Sequence, residues 1–234
     1  MLVPGNDLSP PFYRPLCERL AAHGLTTTAV HVPAFVGQGP AASWDDLVER
    51  LLADLALHQP AGGALIGHSL GGLLAFLAAA RRPPQVQRLV LLEPAIAPWA
   101  PLARAAARTY RRAVVERDRD RFVNWTGSFR RVARPARFPG WALELYLQNR
   151  RAADPERVGA LLDTLGQVYP LPIAEVEVPV LLLRGASSGW RAALGQRALR
   201  GRFRDARVEV IPRAAHWLAN EADEAVAAAV VRAG

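Results

Sequence analysis

Two hydrophobic periods alternate along this chain. Six segments carry the apolar, partly β-branched pattern of buried strands: 1–3, 26–32, 64–67, 86–92, 178–184 and 206–211. Most of the segments between them repeat apolar residues every three or four positions, as at Leu47, Leu51 and Leu55, and this spacing predicts helices. Strands that alternate with helices are typical of a parallel sheet covered on both faces. The sequence therefore predicts an α/β fold with a mostly parallel sheet of about six strands.

Local signals predict where several helices begin. Ser9 precedes a Pro-Pro pair and predicts the cap of the first helix. Ser43 stands three residues before Asp46, a spacing that predicts a capping box at the second helix. The closing helix is predicted over residues 220–232, with Glu221 among the acidic residues of its first turn.

The rhythm changes between the fourth and fifth predicted strands. Residues 97–170 contain helix-like and aromatic segments and no strand pattern. A helical stretch of this length between two sheet strands indicates an inserted lid. We therefore expect one α/β core formed by residues 1–96 and 171–234, with a helical lid over residues 97–170.

The positive charge of the chain is unevenly distributed. The net charge is +8, and residues 97–170 alone hold fourteen arginines and seven acidic residues. Every basic residue is arginine, which indicates a compositional bias. A solvated basic face explains the charge better than a surface that attracts anions. Because no recognisable binding motif accompanies the charge, we expect no nucleic-acid partner.

Cysteine content and hydropathy limit the disulfides, metal sites and membrane contacts that this chain can form. The one cysteine, Cys17, excludes an internal disulfide and a cysteine-based metal cluster. We expect no metal and no cofactor. The strongest apolar run, residues 73–80, ends at Arg81 and is far too short to span a bilayer. These features favour a cytoplasmic protein that has no membrane partner.

A Gly-x-Ser-x-Gly motif lies where a strand turns into an apolar helix. Gly67, Ser69 and Gly71 form it, between the strand pattern of residues 64–67 and the helix pattern of residues 70–80. A strand that reverses into a helix within a few residues strains the turn residue, and small neighbours make room for it. The hydroxyl of Ser69 would then lie beside a helix N-terminus, which stabilises anions.

This motif resembles the nucleophile elbow of the α/β-hydrolase superfamily, and the chain resembles a serine esterase or lipase of that superfamily with a helical lid. The resemblance implies that Ser69 is the nucleophile of an acyl-transfer reaction. The alternative is a serine that only caps the helix after an ordinary strand-to-helix turn. The two strands that usually precede the oxyanion turn of the superfamily are absent here, so either the core is trimmed to six strands or the true start codon lies upstream.

A serine nucleophile needs a base, and His216 is the candidate. It follows the last predicted strand and precedes the last helix, in a segment that resembles the catalytic histidine loop of the superfamily. The alternative is a solvated loop histidine. His68 flanks Ser69, but we expect its side chain to point elsewhere and to act in packing or tuning.

The usual acid of the superfamily is missing. It would follow Gly185, yet residues 186–189 contain no carboxylate. Glu93 is the best substitute, since it stands at the end of the strand next to the elbow strand, as in some dehalogenases and lipases of this fold. The alternative is a Glu93 that only anchors a loop. Ser188, as a neutral hydrogen-bond partner, and Asp7 are the remaining candidates.

The resemblance also implies an oxyanion hole made by the backbone N–H groups of Asn6 and Leu70. A serine at the elbow argues against dehalogenases and epoxide hydrolases of this fold, which use aspartate. The predicted partner is a small, largely apolar carboxylic ester or thioester, in contact with the lid residues Trp99, Trp125 and Trp141.

Two functions remain open at this point. The first is a serine carboxylic-ester hydrolase that works through an acyl-enzyme. The second is a hydrolase-fold protein that binds a ligand or partner with little or no turnover, because the usual triad aspartate is absent.

Overall fold

Five parallel strands form the centre of the fold. The computed structural model describes residues 1–40, 42–97, 99–115 and 138–233. Every pair of neighbouring strands is parallel, and the strands follow one another across the sheet in chain order. The strands are β1 (Leu2–Val3), β2 (Gly63–His68), β3 (Val86–Leu92), β4 (Val180–Gly185) and β5 (Ala206–Ile211). The predicted α/β fold is confirmed.

The strand predicted over residues 26–32 is reduced to a single bridge. Ala29 pairs with Leu2 in parallel, and Leu2 exchanges backbone hydrogen bonds of 2.8 and 2.9 Å with Thr28 and Val30. The reason is that the neighbouring strand, β1, is only two residues long and offers no further backbone to pair with. The predicted sheet of about six strands therefore has five strands and this bridge at its edge.

Alternate residues of the central strands face opposite sides of the sheet. In β3, Leu89 and Leu91 belong to one hydrophobic cluster, and Val90 and Leu92 belong to the other. All four are fully buried, as expected for parallel strands that are covered on both faces. The sheet thus separates two apolar cores. In parallel sheets, functional sites form beyond the carboxyl ends of the strands.

Nine α-helices surround the sheet in the described residues. They are α1 (Arg14–Ala22), α2 (Trp44–His58), α3 (Leu70–Ala80), α4 (Ala100–Val115), α5 (Gly140–Ala152), α6 (Pro155–Asp163), α7 (Gly189–Arg200), α8 (Leu218–Glu221) and α9 (Asp223–Arg232). Residues of α2, α3, α4 and α6 line one core, and residues of α1, α5, α8 and α9 line the other. No helix of the described segments is long and apolar enough to cross a bilayer.

Of two serines that were predicted to cap helices, one does so in the structure and the other does not. The capping box of α2 is confirmed, with Ser43 Oγ accepting from the Asp46 N–H at 3.1 Å and Asp46 Oδ2 accepting from the Ser43 N–H at 2.9 Å. Ser9 caps nothing with its side chain, which instead accepts from Asn149 Nδ2 at 3.1 Å. A 3₁₀ turn over Pro10–Tyr13 follows Ser9, and α1 begins after it.

The described part of the segment between β3 and β4 consists of helices and 3₁₀ turns joined by short non-helical stretches. It contains α4, α5 and α6, followed by 3₁₀ turns at Thr164–Val168 and Ile173–Glu175. α4 packs on α6, and Arg111 joins them through an ion pair with Asp163 at 2.8 Å. The opposite end of α6 meets the core, where the Asp154 N–H donates to the carbonyl of Gly37.

Candidate active site

Ser69 occupies a strained turn between β2 and α3. Its backbone lies at φ 53° and ψ −118°, outside the regions that non-glycine residues favour. Strain of this kind costs about 1–3 kcal/mol and is found where function requires it. The Ser69 side chain makes no capping hydrogen bond to α3, so the helix-capping alternative has no counterpart in the structure.

Glycines allow the chain to pass through this turn. A Cβ at Gly67 would lie 2.5 Å from the carbonyl oxygen of Gly71. A Cβ at Gly71 would overlap the carbonyl oxygen of Pro4. These distances leave no space for a side chain, so the motif glycines keep β2, α3 and the turn after β1 in direct contact.

The loop after β5 brings His216 to Ser69. His216 Nε2 lies 3.0 Å from Ser69 Oγ, within hydrogen-bond distance. The two residues are 147 positions apart in sequence, so the contact depends on the sheet that carries both loops. The imidazole side chain is 28 % exposed, which leaves it accessible from one side.

Glu93 faces the other nitrogen of the same imidazole. Glu93 Oε2 lies 3.8 Å from His216 Nδ1, and Glu93 Oε1 accepts from the Gly185 N–H at 2.7 Å. The residue is buried and its backbone is left-handed, with φ 46°. The carboxylate is thus anchored to the end of β4 and directed at the histidine, at a distance beyond a hydrogen bond. Catalytic hydrogen bonds are often long without substrate and shorten in the complex.

The two other candidate acid partners are engaged differently. Asp7 is buried and forms an ion pair with Arg150 of α5 at 3.1 Å. Ser188 Oγ is buried and has no hydrogen-bond partner in the part of the chain that the structure describes. Of the three candidates, Glu93 is the one whose carboxylate faces a ring nitrogen of His216, at 3.8 Å.

The turn that carries Asn6 packs against Ser69. A Cβ at Gly5 would lie 3.1 Å from the Cβ of Ser69, so the backbone of this turn and the serine are in close contact. Leu70 is the first residue of α3, and the N–H groups of a first helical turn lack acceptors within the helix. Both positions thus lie next to Ser69, whose attack on a carbonyl group would place an oxyanion on the carbonyl oxygen of the substrate.

The structure describes two of the three tryptophans that were predicted to contact substrate. Trp99 is exposed, and Trp125 lies outside the described residues. Trp141 is also exposed, and its ring lies beneath the guanidinium of Arg14 at 5.4 Å. That contact ties Trp141 to α1 and does not involve Ser69, His216 or Glu93.

The structure adds one residue that sequence reasoning missed. Glu221 is buried, and its carboxylate accepts from the Ala215 N–H at 2.6 Å and from the Trp217 N–H at 3.4 Å. Glu221 ends α8, whereas the sequence predicted it in the first turn of a longer helix. An acid five residues after the candidate histidine was the available signal. Its bonds hold the backbone on both sides of His216.

A protein-family model and a related protein match this chain. The family model described as the alpha/beta hydrolase family matches residues 1–229. Lipase LipV of Mycobacterium tuberculosis is 41 % identical over 81 residues, which cover 32 % of this chain and 31 % of LipV. The matched part is thus about one third of that relative's length.

Solved structures share the fold over nearly the whole chain. MenH from S. aureus superposes with a TM-score of 0.77 at 16 % identity, covering 99 % of this chain and 92 % of MenH. A thermophilic esterase from Thermogutta terrifontis gives a TM-score of 0.73 at 22 % identity, covering 99 % and 87 %. Together with the match over residues 1–229, the strand order and the turn at Ser69 establish that this chain belongs to the α/β-hydrolase family.

Proposed function

We propose that the protein is a serine hydrolase that cleaves a small carboxylic ester or thioester through an acyl-enzyme. The observation that carries this proposal is the 3.0 Å contact between His216 Nε2 and Ser69 Oγ at a strained turn. A serine hydroxyl is a weak nucleophile until a base accepts its proton, and the imidazole lies at the required distance.

The first half-reaction acylates Ser69. Ser69 Oγ attacks the carbonyl carbon of the ester while its proton moves to His216 Nε2. The tetrahedral intermediate then collapses, the bond to the alcohol oxygen breaks, and the alcohol leaves with the proton from Nε2. Water repeats the sequence on the acyl-enzyme with His216 as base, which releases the carboxylic acid and restores Ser69.

Glu93 is proposed to orient His216 and to stabilise the imidazolium. When Nε2 accepts the serine proton, Nδ1 must carry the other proton, and Nδ1 faces Glu93 Oε2. The hydrogen bond from the Gly185 N–H fixes the opposite oxygen of the carboxylate. Closing the 3.8 Å gap by less than an ångström would create a charge-assisted hydrogen bond.

The backbone N–H groups of Leu70 and Asn6 are proposed to stabilise the oxyanion. One N–H begins α3, where the helix dipole favours negative charge, and the other belongs to the turn packed against Ser69. Donors of this kind contribute about 10²–10³ each in rate, because they are already oriented when charge develops.

We further propose that residues 97–170 form a lid over an apolar acyl site. Most of the described part of this segment is helical, and the exposed side chains of Trp99 and Leu102 lie near its start. LipV carries the name lipase and the T. terrifontis protein the name esterase, which supports ester substrates for this chain too. Trp99, Trp125 and Trp141 are the proposed contacts with substrate.

Labelling with a fluorophosphonate probe tests the nucleophile. We expect rapid labelling of the wild-type protein, none of Ser69→Ala, and hydrolysis of short p-nitrophenyl esters that is lost with the label. Ser187→Ala is the matched control, since Ser187 is exposed and its hydroxyl is not part of the proposed machinery. Labelling that survives in Ser69→Ala would overturn the proposal.

One observation favours the second candidate function, a ligand-binding protein with little turnover. The 3.8 Å separation between Glu93 and His216 Nδ1 exceeds a hydrogen bond, so the imidazole lacks the fixed orientation of an efficient triad. A folded wild-type protein, verified by circular dichroism, that neither labels nor hydrolyses the esters would support this function instead.

A further inference from the structure

His68 is fully buried, and both of its ring nitrogens have partners. Nδ1 lies 2.8 Å from the hydroxyl of Tyr13, and Nε2 lies 2.8 Å from the backbone carbonyl oxygen of His216. The hydroxyl oxygen of Tyr13 in turn accepts from the Gly5 N–H at 2.8 Å. Four residues distant in sequence are thus joined by three short hydrogen bonds.

The chemistry of the end groups fixes the direction of this chain of hydrogen bonds. The Gly5 N–H can only donate, so the Tyr13 oxygen accepts from it and the Tyr13 O–H donates to His68 Nδ1. The His216 carbonyl can only accept, so the proton of His68 resides on Nε2. The network is therefore satisfied by one tautomer of a neutral histidine.

The surroundings keep His68 in this neutral form. Burial, followed by the nearby His216 ring, lowers the pKa of His68 to about 3. The two imidazole centroids are 5.0 Å apart. When His216 becomes an imidazolium during the proposed reaction, a second cation at this distance would oppose it. A neutral His68 avoids that repulsion.

Each end of the network belongs to a different part of the active site. Gly5 immediately precedes Asn6, the proposed oxyanion donor, and the carbonyl end belongs to His216, the proposed base. His68 itself immediately precedes Ser69. Glycine at position 5 leaves room for this arrangement, because a Cβ there would make a tight contact of 3.1 Å with His68 Nδ1.

We propose that Tyr13 and His68 are positioning residues that hold the oxyanion turn and the His216 loop in register with Ser69. This inference rests on the proposed function and goes beyond it, since neither side chain touches the reacting atoms. They act through the Gly5 N–H and the His216 carbonyl.

Three substitutions separate the two arms of the network. Tyr13→Phe removes the hydroxyl and leaves the Gly5 N–H and His68 Nδ1 without it. His68→Asn places an amide near the position of Nδ1 and loses the bond to the His216 carbonyl. His68→Gln places an amide near the position of Nε2 and keeps that bond.

We expect Tyr13→Phe and His68→Asn to lower kcat by about 10- to 100-fold with KM nearly unchanged, because displacement of a catalytic group by about 1 Å has effects of this size. His68→Gln should retain several-fold more activity than His68→Asn. Tyr169→Phe is the matched control. Its hydroxyl also accepts from one backbone N–H and donates to one carbonyl, both of Ala97.

A result of equal kcat for Tyr13→Phe, His68→Asn and the wild type would overturn the inference. The same holds if each variant loses only the activity that Tyr169→Phe loses. Thermal unfolding of each variant shows whether the protein compared is folded.

Nitrogen-15 NMR of the histidine rings provides a test that needs no activity. In the wild-type protein at pH 7, His68 should be the neutral tautomer protonated on Nε2, and a ring protonated on Nδ1 would overturn the inference. The His216 ring signals should shift in Tyr13→Phe, and unchanged signals would contradict the inference as well. A wild-type protein that fails to label with fluorophosphonate would instead contradict the proposed function.

Discussion

Glu93 and Glu221 are buried carboxylates that approach His216 from different directions. Glu93 reaches across the sheet edge from the end of β3 and faces the imidazole ring. Glu221 ends α8, the short helix that follows the histidine loop, and binds the N–H groups of the two residues that flank His216. We therefore propose that separate acids act on the two features, Glu93 on the orientation of the ring and Glu221 on the shape of the loop.

The difference also explains why the two residues call for different experiments. A group that faces the ring affects the reaction with little effect on folding, because its contact matters when the imidazole becomes charged. A group that binds loop backbone affects stability first, because its loss leaves buried N–H groups without acceptors. Substitution of Glu93 tests the contact with the ring, and substitution of Glu221 tests the bonds to the loop backbone.

Glu93→Gln is expected to have the largest effect on turnover. Its amide oxygen still accepts from the Gly185 N–H, so the fold should remain intact, but the charge that faces His216 Nδ1 is gone. The corresponding loss in a serine protease is about 10⁴ in kcat. We expect kcat to fall by about 10² to 10⁴ with short p-nitrophenyl esters. An unchanged kcat would reduce Glu93 to an anchor for Gly185.

Glu221→Gln is expected to affect stability more than chemistry. The substitution replaces one acceptor oxygen by an NH₂ group, which faces a backbone N–H at Ala215 or Trp217. We expect the free energy of unfolding in urea to fall by about 2–3 kcal/mol, with a smaller loss of kcat than in Glu93→Gln. If Glu221→Gln were fully stable and less active than Glu93→Gln, the two roles would be reversed.

A change of pH probes the third buried group beside this loop, His68. Burial and the neighbouring His216 ring lower its pKa from the ordinary value of 6.5 to about 3 in the folded protein. Below pH 6.5 the unfolded chain therefore binds a proton that the folded chain excludes, so this contribution to stability declines as the pH falls from 6.5 towards 3. Between pH 7 and pH 5, the wild type should lose about 2 kcal/mol more stability than His68→Gln. Urea unfolding at the two pH values measures the difference, and parallel losses would show that His68 is protonated in the folded state.

Local sequence patterns predicted most of the fold because each central strand carries its own run of apolar residues. Residues 86–92 are apolar apart from Gln87 and Arg88, and they form β3 with the predicted ends. The segment 26–32 carries the β-branched residues typical of a strand, yet its partner β1 offers two residues. The length of a neighbouring strand is not encoded in the segment itself, so the prediction was wrong there.

The candidate site was predictable where its signals are local. The motif around Ser69 and the position of His216 after the last strand both lie in short stretches of sequence, and the structure brings their side chains together. Tyr13 and His68 are 55 residues apart and carry no motif that joins them. His68 was expected to point elsewhere than Ser69 and to act in packing or tuning, and the sequence did not indicate that its Nε2 would contact the backbone carbonyl of His216.

Trapping the acyl-enzyme tests the central claim most directly. The protein is mixed with a p-nitrophenyl ester, quenched in acid during the first turnovers, digested and analysed by mass spectrometry. We predict an acyl group on Ser69 in the wild type, its accumulation in a variant whose deacylation is slowed, and its absence from Ser69→Ala. Hydrolysis without any adduct at Ser69, or with equal rates in the wild type and Ser69→Ala, would contradict it.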